Sequence, residues 1–255
     1  MTQFPDEDLS RDAFLGGKLF LYQPKSGYRA GVDPVLLAAS VAAKPGDRVL
    51  DLGCGAGAAV LCLGTRVPGL HLHGIEVQPG YAALARRNAA EAGLHIDVID
   101  ADLTAPPPAL RKMTFHHILA NPPYFDPTAR IPAADPGRER GLAEVAPLSA
   151  WVDFAARRLH PRGWLHVIQR TARLPDLLVA SQGKLGSIEV LPLAARLGRT
   201  PEHVIFRARK DGRAPFRLHA PMILHEGMKH LSDAEDYSAE IDGILRGGNM
   251  LTWPI

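Results

Sequence analysis

From about Arg48 to Val167 short apolar runs alternate with amphipathic stretches, and few architectures accommodate that alternation. Strand-length runs separated by helical spacing build a parallel sheet with helices against it. Val49-Leu50-Asp51-Leu52, Leu72-His73-Gly74-Ile75-Glu76, Ile96-Asp97-Val98-Ile99, His117-Ile118-Leu119-Ala120 and Leu165-His166-Val167-Ile168 read as five successive strands. Gln78 to Gly93 has helical spacing, with Pro79 suited to a first turn and Gly93 to a C-cap. Leu148 to Leu159 repeats that spacing and stops at Pro161. Ser187 to Leu193 and Val204 to Arg209 predict an antiparallel pair that finishes the sheet. Ahead of the first strand, Leu19 to Arg29 predicts a hairpin turning at Pro24-Lys25-Ser26-Gly27, and Asp33-Pro34 predicts a capped helix through Ala39. The expected division is an N-terminal extension over 1–45, a core over 46–210 and a tail over 211–255.

At 255 residues the chain is long enough to bury a substantial interior. A net charge of +2 is too small to demand a nucleic-acid partner. Cys54 and Cys62 have no second pair, which argues against a disulfide scaffold or a zinc site, and no metal is expected. The polar, acidic N-terminus carries no signal-peptide pattern, and no uncharged run reaches the roughly 18 residues of a membrane span. The expectation is a cytoplasmic protein with no membrane partner.

Asp51-Leu52-Gly53-Cys54-Gly55-Ala56-Gly57 follows the first strand and opens a helix. Its glycines let the backbone turn sharply and a ligand approach the helix closely. Glu76 ends the second strand, where an acid could accept both hydroxyls of a ribose. With Ala58 the run also satisfies G-x-G-x-x-G/A, so a nicotinamide dehydrogenase has to be weighed. Asp51 argues for a different ligand, because a carboxylate beside the loop repels a pyrophosphate and suits a cation.

Asp-x-Gly-x-Gly-x-Gly followed by an acid ending the second strand resembles the class I S-adenosylmethionine-dependent methyltransferases. The resemblance implies an α/β, Rossmann-like fold: a seven-stranded, mostly parallel sheet with an antiparallel C-terminal hairpin strand and helices on both faces. It implies S-adenosyl-L-methionine as cofactor, held by Asp51, Gly53, Gly55, Gly57, Glu76, Val77, Asp102, Leu103 and Asn121. Asp100 rivals Asp102 for the adenine amine.

After the fourth strand comes Asn121-Pro122-Pro123-Tyr124. Two prolines stiffen the backbone between an amide and an aromatic ring, and those two groups suit a planar amine. In the same family this tetrapeptide marks enzymes that methylate an adenine amine or a glutamine amide. The resemblance makes Asn121, Pro122 and Tyr124 catalytic and Pro123, Tyr124 and Phe125 substrate-binding, with no catalytic histidine needed. A base entering such a pocket must leave its stack.

The flanks Gln23-Pro24-Lys25-Ser26-Gly27-Tyr28-Arg29, Asp33 and Asp135-Pro136-Gly137-Arg138 are similar to the bacterial tRNA1(Val) adenine-37 N6-methyltransferases. That similarity implies tRNA as partner, with protein glutamine and ribosomal guanine as the alternative acceptors. A cofactor-sensing or RNA-binding module without turnover is the alternative outside enzymes. Arg196, Arg199, Arg207, Arg209, Lys210, Arg213 and Arg217 form a basic run, of which Arg196 and Arg199 are the candidate RNA contacts. The Pro-rich stretch from Asp126 to Ser149 is long enough to read as a flap over the substrate. Oligomeric state is not legible.

Overall fold

The computed structural model describes residues 3–124, 146–227 and 236–254. β3 (Arg48–Leu52), β4 (His71–Glu76), β5 (Ile96–Asp100), β6 (Phe115–Ala120) and β7 (Leu159–Arg170) run parallel. β9 (His203–Arg209) returns antiparallel between β7 and β8 (Gly186–Ala194). The order β5-β4-β3-β6-β7-β9-β8 contains the seven expected strands. Two two-residue strands, β10 (Arg217–Leu218) and β11 (Met222–Ile223), extend the sheet to nine by pairing with β8.

Neighbouring residues on these strands divide between two hydrophobic clusters. Leu119, Ile168 and Ile205 belong to one, while Ile118, Ala120, Val167 and Phe206 belong to the other. A sheet covered on both faces has nowhere to place polar side chains, so its strands read as continuous apolar runs. The first cluster holds α1 (Asp33–Ala39) and α2 (Ala58–Arg66); the second holds α5 (Leu148–Arg158) and α6 (Leu174–Ser181). α3 (Pro79–Glu91) starts on Pro79 as expected, a short α4 (Pro108–Arg111) precedes β6, and α7 (Ala239–Leu245) lies in the tail. No helix among the described residues is long and apolar enough to cross a membrane.

The N-terminal hairpin differs from its prediction. β2 (Leu19–Pro24) pairs backwards with β1 (Leu9–Phe14) rather than forwards toward Arg29. The reversal occurs at Leu15-Gly16-Gly17, all with positive φ, so the paired glycines rather than Pro24 make the turn. Asp33 also does not cap α1. It lies in the first turn, which leaves its carboxylate for another partner.

Candidate active site

The strand order reverses between β3 and β6, and the loops at the carboxyl ends of these two strands flank one crevice. In open α/β sheets that crevice is where ligands bind. One half of it is the glycine loop. Gly53 and Gly55 have φ of +61° and +55°, and a Cβ on Gly53 would stand 2.7 Å from the Trp151 ring of α5. Any side chain there would collide, so Trp151, which composition and spacing do not single out, fixes the path of the loop.

Asp51 is 2% exposed. It accepts the Val60 amide of α2 at 3.3 Å, and burial pushes its carboxyl up to about 7, with nearby Glu76 adding to the rise. Glu76 closes the loop onto β4. Its two oxygens accept the Gly55 and Gln78 amides, each at 2.9 Å. Burial raises this carboxyl too, against the pull of those amides. Val77, next to it, is 53% exposed, an apolar patch left uncovered at the end of the strand. The rivalry after β5 has a structural asymmetry. Asp100 is ion-paired with Arg86, whereas among the described residues the Asp102 carboxylate accepts the Thr104 amide alone, at 2.7 Å. Leu103 beside it is half-buried.

The other half is the tetrapeptide, where side chains remote in sequence converge. Asn121 Nδ2 donates to the Tyr28 hydroxyl at 3.2 Å, and among the described residues its Oδ1 makes no bond. The Tyr124 hydroxyl donates to Asp33, and burial followed by that carboxylate pushes the phenol well up. Fully buried Gln169, on β7, donates Nε2 to the Pro122 carbonyl at 3.2 Å and to the Pro123 carbonyl at 3.4 Å. Its Oε1 accepts the Arg170 amide at 2.8 Å. The His203 ring centre lies 5.1 Å from that of Tyr124. Phe125 and the greater part of the expected flap lie outside the described residues.

Several sequence candidates stand elsewhere. Arg196 is committed to the tail, donating to the Glu226 carbonyl and pairing with Asp236, so it braces structure. Arg199 is exposed in the β8–β9 turn. β9 runs away from the site, from His203 beside Arg170 to Arg209 beside Trp164. Arg209 therefore lies toward the far end of the sheet, and Arg207, in register with Asp51 across β7 and β6, pairs with Glu189 at 2.8 Å. Arg29 braces the hairpin through Ser10, Asp12 and the Pro24 carbonyl. His117 and His116 lie on the early part of β6, ahead of the tetrapeptide. A buried chain there links Ser40 to His166 (3.3 Å), His166 to His117 (3.4 Å) and His117 to Asp47 (3.5 Å).

Residues 30–190 match the family model described as the methyltransferase small domain. The chain belongs to that family. The tRNA1(Val) (adenine(37)-N6)-methyltransferase of Porphyromonas gingivalis is 29% identical over 76% of this chain and 79% of its own length. The release factor glutamine methyltransferase of Deinococcus radiodurans is 38% identical over 65% of this chain and 59% of its own length. A crystal structure described as a predicted O-methyltransferase, from Agrobacterium tumefaciens, superposes with a TM-score of 0.70 at 26% identity, covering 88% of this chain and all of that one.

The methyl donor of this methyltransferase is S-adenosylmethionine, and the glycine-loop half fits it on independent grounds. Asp51 and Glu76 are two buried acids with no basic side chain in ion-pair contact among the described residues. A ligand carrying an ammonium and a sulfonium supplies the missing counter-charge.

Proposed function

We propose that this methyltransferase methylates the exocyclic amine of an unstacked adenine in RNA, with the anticodon-loop adenosine 37 of a valine tRNA as its target. The observation that carries this reading is the pair of acceptors beside Tyr124. Asn121 presents an Oδ1 without a bond among the described residues, and the Pro122 carbonyl has a second lone pair beyond the one Gln169 uses. A primary amine on a flat ring has two hydrogens for two such oxygens and a face for the aromatic side chain.

An adenine amine is a weak nucleophile because its lone pair is delocalised into the ring. As Asn121 Oδ1 and the Pro122 oxygen take its two hydrogens, density is drawn back onto nitrogen. The amine pyramidalises and attacks. These bonds strengthen toward the transition state, which is the form of stabilisation that raises turnover. The proton leaves readily once nitrogen is alkylated, so no histidine is required. S-adenosylmethionine would supply the electrophilic methyl, its methyl–sulfur bond breaking as the nitrogen–carbon bond forms and the neutral thioether leaving. In this reading Asp51, Gly53, Gly55 and Gly57 hold its methionine end, Glu76 its ribose, and Val77, Asp102 and Leu103 its base.

Support for tRNA as partner comes from the tRNA-modifying relative, whose length this chain spans more fully than that of the glutamine enzyme. A tRNA substrate would put its work in the cytoplasm. The 38% identity to the release-factor enzyme favours a second reading, a glutamine amide of a protein, whose nitrogen offers the same two hydrogens. Exposed Arg199 is the candidate phosphate contact near the mouth. The test is transfer of labelled methyl to total tRNA lacking modification, followed by nucleoside analysis. The expected product is N6-methyladenosine; label in protein, or on guanosine, overturns the reading.

A further inference from the structure

The segment ahead of α1 touches both halves of the crevice through one residue. The Tyr28 amide donates to the Tyr81 hydroxyl of α3 at 3.0 Å, and that hydroxyl donates to the Tyr28 carbonyl at 3.1 Å. So pinned, the Tyr28 ring lies against the glycine loop, 3.8 Å from where a Cβ on Gly55 would stand. Its hydroxyl meets Asn121. Tyr28 precedes the residues matched by the family model, so the match assigns it nothing.

An asparagine amide has two senses of nearly the same shape and opposite chemistry. In one, Oδ1 points at the incoming amine and accepts its hydrogen; in the other, an NH2 group points there and repels it. A neighbouring phenol could stabilise either, by donating to Oδ1 or by accepting from Nδ2. The structure shows the second: Asn121 Nδ2 donates to the Tyr28 oxygen at 3.2 Å, and Oδ1 is left without a bond among the described residues. Burial, then the Asp33 and Asp51 carboxylates, push the phenol up to about 12, so it stays a neutral hydroxyl.

We infer that Tyr28 is a positioning residue whose hydroxyl holds the Asn121 amide in the sense that aims Oδ1 at the methyl acceptor. The inference rests on the reading of Asn121 as an acceptor of amine hydrogens. Tyr28 itself touches no reacting atom in this role; it acts through Asn121.

Tyr28→Phe keeps the ring against the loop and deletes the hydroxyl. Turnover should fall on the order of 10–10²-fold, as for other losses of alignment, with cofactor affinity within about twofold of wild type. In an Asn121→Ala background the same substitution should cost nothing more, because residues acting as one unit are not additive. A third measurement needs no methyl acceptor: the side-chain amide pair of Asn121 in a ¹⁵N spectrum, assigned by its absence in Asn121→Ala. It should be a single sharp pair in wild type and shift or broaden in Tyr28→Phe. Unchanged turnover, a further equal loss in the Asn121→Ala background, or an unchanged amide pair would each overturn the role. Were the wild-type enzyme silent toward RNA, the functional reading would fall while the amide spectrum still decided this one.

Discussion

The glycine-loop half of the crevice is tied together by short-range bonds, and the tetrapeptide half by long-range ones. Asp51 and Glu76 reach backbone amides 9 and 21 residues away. Asn121, Tyr124 and Pro122 are held by side chains 93, 91 and 47 residues away. The hydrogen bonds of the first half need only β3, β4 and the segments that directly follow them, with Trp151 of α5 packed against the loop they hold. The second waits for the N-terminal segment and for β7. A site that must be held within a fraction of an ångström is most vulnerable where its supports are distant. Substitutions on the two sides should therefore fail differently, one in affinity for the donor and the other in rate.

Asn121→Ala gives the largest expected effect. Loss of one preorganised transition-state partner costs on the order of 10²–10³ in turnover, and the donor should still bind with near-normal affinity. Calorimetry with S-adenosylmethionine beside a methyl-transfer assay separates the two. A variant that keeps its turnover at saturating cofactor but binds the cofactor much more weakly would erase the division between the halves.

Asp51→Asn should show the opposite pattern. A charge-assisted hydrogen bond contributes about 1.5–3 kcal/mol, so cofactor affinity should weaken roughly 10- to 100-fold. The free protein should gain stability at neutral pH, because the variant no longer buries a carboxylate. Unfolding curves at pH 8 with and without cofactor check both signs. A variant that bound the cofactor as well as wild type would remove Asp51 from the site.

Gln169→Leu tests the remote support at the level of a single carbonyl. The change leaves the Arg170 amide and the two proline carbonyls without their buried partner, at about 1–3 kcal/mol of stability. With Pro122 less firmly held, turnover should fall roughly tenfold, a smaller loss than deleting an acceptor, while cofactor affinity holds. Full turnover in a folded Gln169→Leu protein would show that the prolines alone aim that carbonyl.

The same contrast governs what is legible in the amino-acid sequence by itself. Apolar runs mark five parallel strands and the antiparallel pair because a sheet covered on both faces leaves a continuous signal. Asp51, the glycines, Glu76 and the tetrapeptide are legible because each sits where a strand ends, and strand ends are visible in the pattern. Gln169 is not, since a polar residue closing an apolar run looks like the end of the run and nothing more. Tyr28 and Asp33 stand out without a role, because sequence does not show which loop folds over which. The hairpin is misplaced because Pro24 is the more conspicuous turn signal, although Gly16-Gly17 makes the turn. The basic run divides for a related reason: an antiparallel strand carries residues only a few positions apart to opposite ends of the sheet.

The smallest expected effect is a slope. Burial lifts Asp51 to about 7, so the folded protein holds a proton there that the unfolded chain releases near the ordinary carboxylate value of about 3.9. That contribution to stability is present below the unfolded value and is lost as pH rises through 7. On the neighbouring strands β6 and β7 the sign reverses. Burial depresses His117 to about 4 and His166 well below its usual value, so the folded protein lacks two protons that the unfolded histidines bind below about 6.5. Their contribution is present above 6.5 and is lost as pH falls toward 4. Between pH 5 and 6 the terms oppose: the histidines make stability rise with pH and Asp51 makes it fall. Asp51→Asn removes the opposing term, so stability should rise more steeply with pH in the variant, by on the order of 1 kcal/mol per pH unit. Urea unfolding at pH 5.0, 5.5 and 6.0 on both proteins measures it, and groups common to the two cancel. Parallel lines would mean that Asp51 is already ionised in the folded protein, and that the glycine-loop half carries its negative charge ahead of any cationic ligand.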